Sequence, residues 1–314
     1  MSNLIVSASP HIRSKDTTQR IMRDVVIALV PALIASVVLF GMRALLVTAV
    51  CVVTCVVSEY VFEMAVKRPS TISDLSAVVT GMLLAFNLPV GIPLWMAVVG
   101  SLAAIVVVKQ LFGGIGHNFA NPAITARVIM LISFAQPMTQ WVLPQRGTDG
   151  IELVSGATPL AHLSSGNLAA LPSLTDMFLG IRGGCLGETC ALALILGGAY
   201  LLWRRVITFH IPLAFIGTVF VLTALLGKQP MYQVLGGGLL IGAFFMATDY
   251  STSPASKTGK IVFGIGCGLI TVLIRVYGSY PEGVSFAILL MNIVTPHISK
   301  LTVPKPFGAA ASKS

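Results

Sequence analysis

Gly81-Met82-Leu83-Leu84-Ala85-Phe86-Asn87, followed by Leu88-Pro89, is the stretch on which the reading of the fold turns. It closes an apolar segment, residues 75–88, that falls short of the ~20 residues a membrane-spanning helix needs. A second stretch, Gly242-Ala243-Phe244-Phe245-Met246-Ala247-Thr248, resembles it and closes another short segment with a polar break. Interrupted segments at corresponding places in two halves of a chain point to discontinuous membrane helices. Their freed backbone groups must line a cavity or bind something.

Outward from these two stretches the chain resolves into about ten apolar segments. Residues 25–41, 44–62, 75–88, 93–108 and 123–135 form one set of five, and residues 186–203, 211–227, 234–248, 261–277 and 284–298 form another. Phe112-Gly113 precedes the short fifth segment as Tyr277-Gly278 precedes the short tenth. An odd-numbered repeat inserts in the opposite sense the second time, so the halves should be related by inverted topology. The predicted fold is an all-α polytopic membrane protein with a 5+5 inverted repeat of transmembrane or half-membrane helices. Its expected divisions are a cytoplasmic segment (1–24), the first repeat (25–136), an extracytoplasmic loop (137–185), the second repeat (186–299) and a cytoplasmic tail (300–314).

Composition agrees: 55% of the 314 residues are hydrophobic and 10% charged, with a mean hydropathy of +0.90. A net charge of +9 would suggest a nucleic-acid partner in a soluble chain. Here the basic residues have another use, because Lys and Arg stay on the cytoplasmic side of a membrane. With the N-terminus inside, the cytoplasmic segments collect residues such as Arg20, Arg23, Lys67, Arg68, Lys109, Arg204, Arg205, Lys257 and Lys260, while Arg43, Arg146, Arg182 and Lys228 fall outside. No cleavable signal peptide is evident at the basic N-terminus. Both termini are therefore expected in the cytoplasm, the loop outside, and the lipid membrane as the surrounding partner, with no role for nucleic acid. The five cysteines lack CxxC spacing and support neither a disulfide framework nor a zinc site. Cys51 and Cys55 share a helix face and read as packing positions rather than a ligand pair.

Polar residues inside such a chain carry its function or its turns. Asn87, Asn118, Asn121, Thr248, Asp249 and Glu282 surround the breaks and serve equally well as caps. Glu59 and Glu63 lie one turn apart. They read as interfacial groups snorkelling beside Lys67 and Arg68, or, if buried, as part of a cation path. Arg127 is deeper in its segment and should face the protein interior, paired with a carboxylate or a ligand phosphate. Asn121-Pro122-Ala123 matches the tripeptide of water channels, but no second copy is present. In the polar loop, Ser155-Gly156-Ala157-Thr158-Pro159-Leu160 contains the candidate functional residue, Thr158.

Three blocks carry a family resemblance. The run Ser73-Asp74-Leu75-Ser76-Ala77-Val78-Val79-Thr80 into Gly81–Pro89, the run Lys109-Gln110-Leu111-Phe112-Gly113-Gly114-Ile115-Gly116-His117-Asn118-Phe119-Ala120-Asn121-Pro122-Ala123, and Thr248-Asp249-Tyr250-Ser251-Thr252-Ser253-Pro254 resemble the D subunits of Rnf complexes. They are also similar to the homologous B subunit of the sodium-translocating NADH:quinone reductase. Ser155-Gly156-Ala157-Thr158 resembles the flavinylation motif of both. The short lead before the first segment favours the Rnf side, since the quinone reductase subunit has a longer N-terminal extension.

The resemblance implies a urea-transporter-like fold and a membrane subunit of a ferredoxin:NAD oxidoreductase that couples electron transfer to sodium or proton translocation. It implies FMN attached to Thr158 through a phosphoester by a flavin transferase, a noncovalent riboflavin at an unspecified site, and the A, B, C, E and G subunits of the Rnf complex as partners in the cell membrane. Ser155, Gly156 and Ala157 complete the motif. Gly156 and Ala157 should leave room for the transferase, and Pro159 should turn the chain away from the acceptor. One departure is Glu152, preceded by Asp149 and Gly150, where the family usually has aspartate six positions before the threonine. The chain holds no GxGxxG after a strand and no iron–sulfur cysteine pattern, so NAD and ferredoxin should bind other subunits. Two other classes fit parts of the pattern: a channel for a small neutral solute such as urea, and a membrane scaffold.

Overall fold

The computed structural model describes residues 17–147, 150–278 and 283–303. Asp149, Glu282 and most of the expected terminal segments lie outside those residues, as does the side chain of Glu152. The first bundle comprises α1 (Thr18–Phe40), α2 (Met42–Val66), α3 (Ser76–Phe86), α4 (Leu94–Leu102, continuing as a π-helical stretch Ala103–Gln110) and α5 (Pro122–Ser133). A short α6 (Ala135–Met138) leads into the loop region. That region holds an antiparallel hairpin, β1 (Val142–Gly147) with β2 (Gly150–Ser155), followed by α7 (Pro159–Ser164) and α8 (Leu174–Leu179). The second bundle follows: α9 (Ala191–Trp203), α10 (His210–Leu225), α11 (Pro230–Leu235), α12 (Leu239–Ile241, continuing as a π turn Gly242–Met246), α13 (Lys257–Tyr277) and α14 (Val284–Thr302).

Four of these helices, α1, α2, α13 and α14, are long and apolar enough to cross a membrane. Their outward faces are apolar too: Ile27, Val30, Ile34 and Val38 line one exposed stripe of α1, and Val53, Val57, Val61 and Met64 one of α2. A soluble protein hides such stripes in its core, whereas here they are suited to lipid or to partner helices. Within each bundle α2 packs on α3 and α4, and α13 packs on α10 and α14. The bundles meet where α1 packs on α9 and α5 on α14.

The apolar segments read from the sequence each correspond to helix, with two local differences. Residues 186–190, expected as the start of a helix, are irregular, and residues 234–248 are broken at Gly236-Gly237-Gly238. The hairpin also amends the all-α expectation. The two opening stretches share a packing detail: each begins with a glycine at a close approach. A Cβ on Gly81 would stand 2.7 Å from Val52 Cα, and one on Gly242 2.6 Å from Val284 Cγ1.

Candidate functional site

The ends of the two stretches meet in the interior. Asn87, at the close of α3, lies with its Nδ2 3.6 Å from Met246 Sδ, and Asn121 Nδ2 donates to Met246 O at 3.4 Å. Breaking α3 at Asn87-Leu88-Pro89 frees carbonyls that cannot stay unpaired in an apolar interior. Residues 185–187 satisfy them: Gly187 N donates to Phe86 O, Cys185 Sγ to Asn87 O and Leu186 N to Leu88 O. This wedge is held from the other side by Ser36 Oγ, which donates to Leu186 O at 2.5 Å. Gly187 fits only because it lacks a side chain, since a Cβ there would collide with the Phe86 side chain. The Cys185 thiol is fully buried, so it is a packing group and hydrogen-bond donor rather than a nucleophile.

Two arginines within helices hold the breaks. Arg127 is buried as expected, and its Nη1 donates to Asn87 Oδ1 at 2.5 Å. Arg275 on α13 donates to Gln233 O, Gly236 O and Gly237 O, clamping the glycine break between α11 and α12. The water-channel-like tripeptide has a local explanation. Asn121 Oδ1 accepts from Ala123 N and Ile124 N as the N-cap of α5, and Pro122 takes the first helical position.

A cavity opens beside the paired breaks, walled by Val25, Leu83 and Phe245 and, on its polar side, by Thr80, Lys109, Asn118, Asn121, Thr248 and Asp249. Asn118 Oδ1 is buried there with no hydrogen-bond partner among the described residues. Asp249 accepts from Ser251 and Thr252, and burial raises its carboxyl against those bonds.

Glu59 and Glu63 do not snorkel. They are 0% and 3% exposed, and their carboxylates meet Lys109, Gln110 and Thr71 in the interior. Lys109 Nζ, itself 2% exposed, reaches Glu59 Oε1 and Ser76 Oγ, each at 2.6 Å. Gln110 Nε2 donates to Glu59 Oε1 at 2.8 Å, and Thr71 donates to Glu63 through both its backbone N and its hydroxyl. Lys109 therefore belongs to an internal ion pair and not to the free cytoplasmic charge. It sits on the π-helical continuation of α4, a geometry that recurs at functional sites. Glu59 Oε2 is left without a partner among the described residues. Sequence distance hides this cluster. The available signal is an acid pair in one apolar run and a lysine at the end of another.

Around Thr158 the motif is folded rather than looped out. Ser155, Gly156 and Ala157 are exposed, but Thr158 is 6% exposed. Its Oγ1 accepts from Ala161 N at 3.3 Å as the N-cap of α7, and Pro159 is the first helical residue. Pro159 thus starts a helix instead of turning the chain away. Gly156 packs on the hairpin: a Cβ there would stand 2.6 Å from Leu143 Cδ1. A cleft of about 410 Å³ adjoins the motif, lined by Leu143, Ala157, Pro159, His162, Asp176 and Arg182. Arg182 is buried and donates to Thr189 O at 3.0 Å and Glu188 O at 2.5 Å. Burial pulls its guanidinium below the usual range, and Glu188 opposes that pull. The cleft joins an apolar wall to a few convergent polar groups, the common make-up of a small-molecule site.

Comparison with known proteins shows what this arrangement belongs to. The chain is 48% identical to the D subunit of the Na(+)-translocating ferredoxin:NAD(+) oxidoreductase complex of Acetobacterium woodii, over 99% of this chain and 97% of that one. It is 42% identical to the D subunit of the proton-translocating ferredoxin:NAD(+) oxidoreductase complex of Clostridium ljungdahlii, over 96% of each chain. It is 39% identical to the D subunit of the ion-translocating oxidoreductase complex of Stutzerimonas stutzeri, over 95% and 94%. The first two are named for different ions, so what these relatives share is the subunit and not the ion. The NQR2, RnfD, RnfE family matches residues 5–308, and the chain belongs to that family.

Proposed function

We propose that this chain is the D-type membrane subunit of a redox-driven, ion-translocating ferredoxin:NAD(+) oxidoreductase. It works beside the A, B, C, E and G subunits of an Rnf complex in the cell membrane and carries electrons through FMN bound to Thr158 as a phosphoester. The observation that carries this reading is similarity along nearly the full length of relatives bearing that subunit's name. The two bundles are read as a 5+5 inverted repeat of urea-transporter-like fold, supported by the matched glycines and by the meeting of the two breaks. The termini are placed in the cytoplasm and Thr158 outside on the distribution of basic residues.

The residues beside Thr158 fit the group they would hold. An esterified Oγ1 would keep a lone pair for Ala161 N, so modification would be compatible with the cap of α7. A buried hydroxyl is not open to a flavin transferase, so attachment requires the N-terminus of α7 to open. That step is inexpensive, since α7 runs only Pro159–Ser164 and losing such a cap costs about 0.5–2 kcal/mol. The adjoining cleft offers Leu143 and Pro159 to a ring face, and His162 and Arg182 to polar edges. When bound, the isoalloxazine supplies one-electron chemistry that no side chain here has.

The cavity at the breaks, about 90 Å³, is smaller than a flavin as it stands, so noncovalent riboflavin held there would require the breaks to move apart; Asn118, whose buried Oδ1 has no hydrogen-bond partner among the described residues, is part of its lining. Lys109 joins that cavity to Glu59. A cofactor held there would supply redox chemistry, and a change of its charge would act on the Lys109–Glu59 pair across a poorly screened interior. The test uses the assembled complex: Thr158→Ala should leave assembly intact and abolish ferredoxin-dependent NAD reduction. A wild-type rate in the variant would reject the assignment of electron transfer to this residue.

A further inference from the structure

A groove of about 450 Å³ runs along the exposed, apolar side of the α10–α13 pair, lined by none of the residues that line the two sites described above. Along α10 it is lined from Phe209 and His210 through Leu213 and Gly217 to Val221, and along α13 by Ile261 and Ile265. The two helices are in close contact beneath it. A Cβ on Gly264 would stand 2.8 Å from Ala214 Cβ, and one on Gly268 2.6 Å from Thr218 Cβ. At Gly217 the opposite holds: a Cβ would meet nothing within 4 Å, so the groove is open there.

The groove has one polar end. Lys257 lies one turn before Ile261 on the same stripe of α13 and is exposed. Lys260 Nζ is 3.4 Å from Thr208 Oγ1, next to Phe209. His210, stacked on Phe209, has a buried Nδ1 with no hydrogen-bond partner among the described residues. Among the described residues no carboxylate lines the groove, and the nearby Arg204 is engaged by Asp24.

We propose that this groove binds one acyl chain of an anionic phospholipid, with Lys257 and Lys260 receiving its phosphate oxygens. Length favours a lipid over a partner helix. The stripe from residue 209 to residue 221 spans about 18 Å at the helical rise, close to the ~15 Å depth of one leaflet rather than the ~30 Å a partner helix would cover. Charge favours an anionic headgroup, because basic residues at the end of an intramembrane groove attract phosphate while the apolar walls hold the chain.

The test takes the assembled complex, delipidated in neutral detergent and titrated with dioleoyl phosphatidylglycerol or dioleoyl phosphatidylcholine, with retained lipid read by native mass spectrometry. Wild type should retain phosphatidylglycerol in preference to phosphatidylcholine. Lys257→Gln with Lys260→Gln should weaken phosphatidylglycerol binding about twenty-fivefold, at roughly fivefold for each basic residue near the surface. Gly217→Leu fills open space, so it should leave assembly and melting temperature unchanged and remove the bound lipid. Equal retention of both lipids, or retention undiminished by Gly217→Leu, would overturn the proposal. So would crosslinking of the thiol in a Gly217→Cys variant to a neighbouring subunit, which would place a protein helix in the groove.

Discussion

Replacing Lys109 with Met tests whether the buried cluster of α2 and α4 is an ion pair that the fold depends on. In the wild type Lys109 Nζ stands 2.6 Å from Glu59 Oε1, with the two side chains 2% and 0% exposed. Removing the ammonium leaves Glu59 in the interior with Gln110 Nε2 at 2.8 Å as its remaining donor, because the one hydroxyl hydrogen of Thr71 goes to Glu63. Breaking a buried pair from one side costs about 3–5 kcal/mol, because the other charge stays desolvated and uncompensated. For a chain of 314 residues that corresponds to a fall in Tm of roughly 5–8 °C. Thermal unfolding of the purified subunit in detergent reads it directly. The double variant Lys109→Met/Glu59→Gln removes both charges and should recover most of the loss, giving a coupling energy of the same sign as the pair. If Lys109→Met melts with wild type, or if the double variant is no better than the single, the pair is not what holds α4 to α2.

Three shorter predictions come from the breaks and the motif. Gly187→Ala should strongly reduce the yield of folded protein, since its Cβ would collide with Phe86 and force the wedge off the α3 carbonyls; size-exclusion profiles check it. Arg275→Met should cost about 2–4 kcal/mol in a melt by leaving the carbonyls of Gln233, Gly236 and Gly237 without their donor. Thr158→Ser should retain both the cap of α7 and the flavin, because the same hydroxyl is offered to Ala161 N; protein-bound flavin absorbance in the purified variant measures it.

The apolar segments are legible because long hydrophobic runs have few alternatives in water, and the short third one because Asn87-Leu88-Pro89 interrupts it visibly; the break at Gly236-Gly237-Gly238 falls inside a stretch that reads as one segment. What the breaks become is not legible. The α3 carbonyls are satisfied by residues 185–187, a pairing across a long stretch of chain that no local pattern encodes. For the same reason residues 186–190 read as helix but serve as a wedge. Arg127 and Arg275 stand out as basic residues inside apolar segments, yet their task of holding helix breaks depends on carbonyl groups supplied by other helices. Glu59 and Glu63 are visible as an acid pair. Nearby Lys67 and Arg68 make an interfacial reading reasonable, but Lys109, far along the chain, takes up one of them. Thr158 is found from its motif, whereas its burial as an N-cap depends on Pro159 and Ala161, whose helix is too short to register as a periodic pattern. The hairpin escapes sequence reading because its residues carry little alternation.

The most direct measurement is in-gel flavin fluorescence of the denatured subunit, purified from cells that also contain the flavin transferase, with Thr158→Ala alongside wild type. The account predicts fluorescence that survives denaturation in wild type and is absent from the variant. A wild-type band without fluorescence despite active transferase, or equal fluorescence in both lanes, would contradict attachment at Thr158.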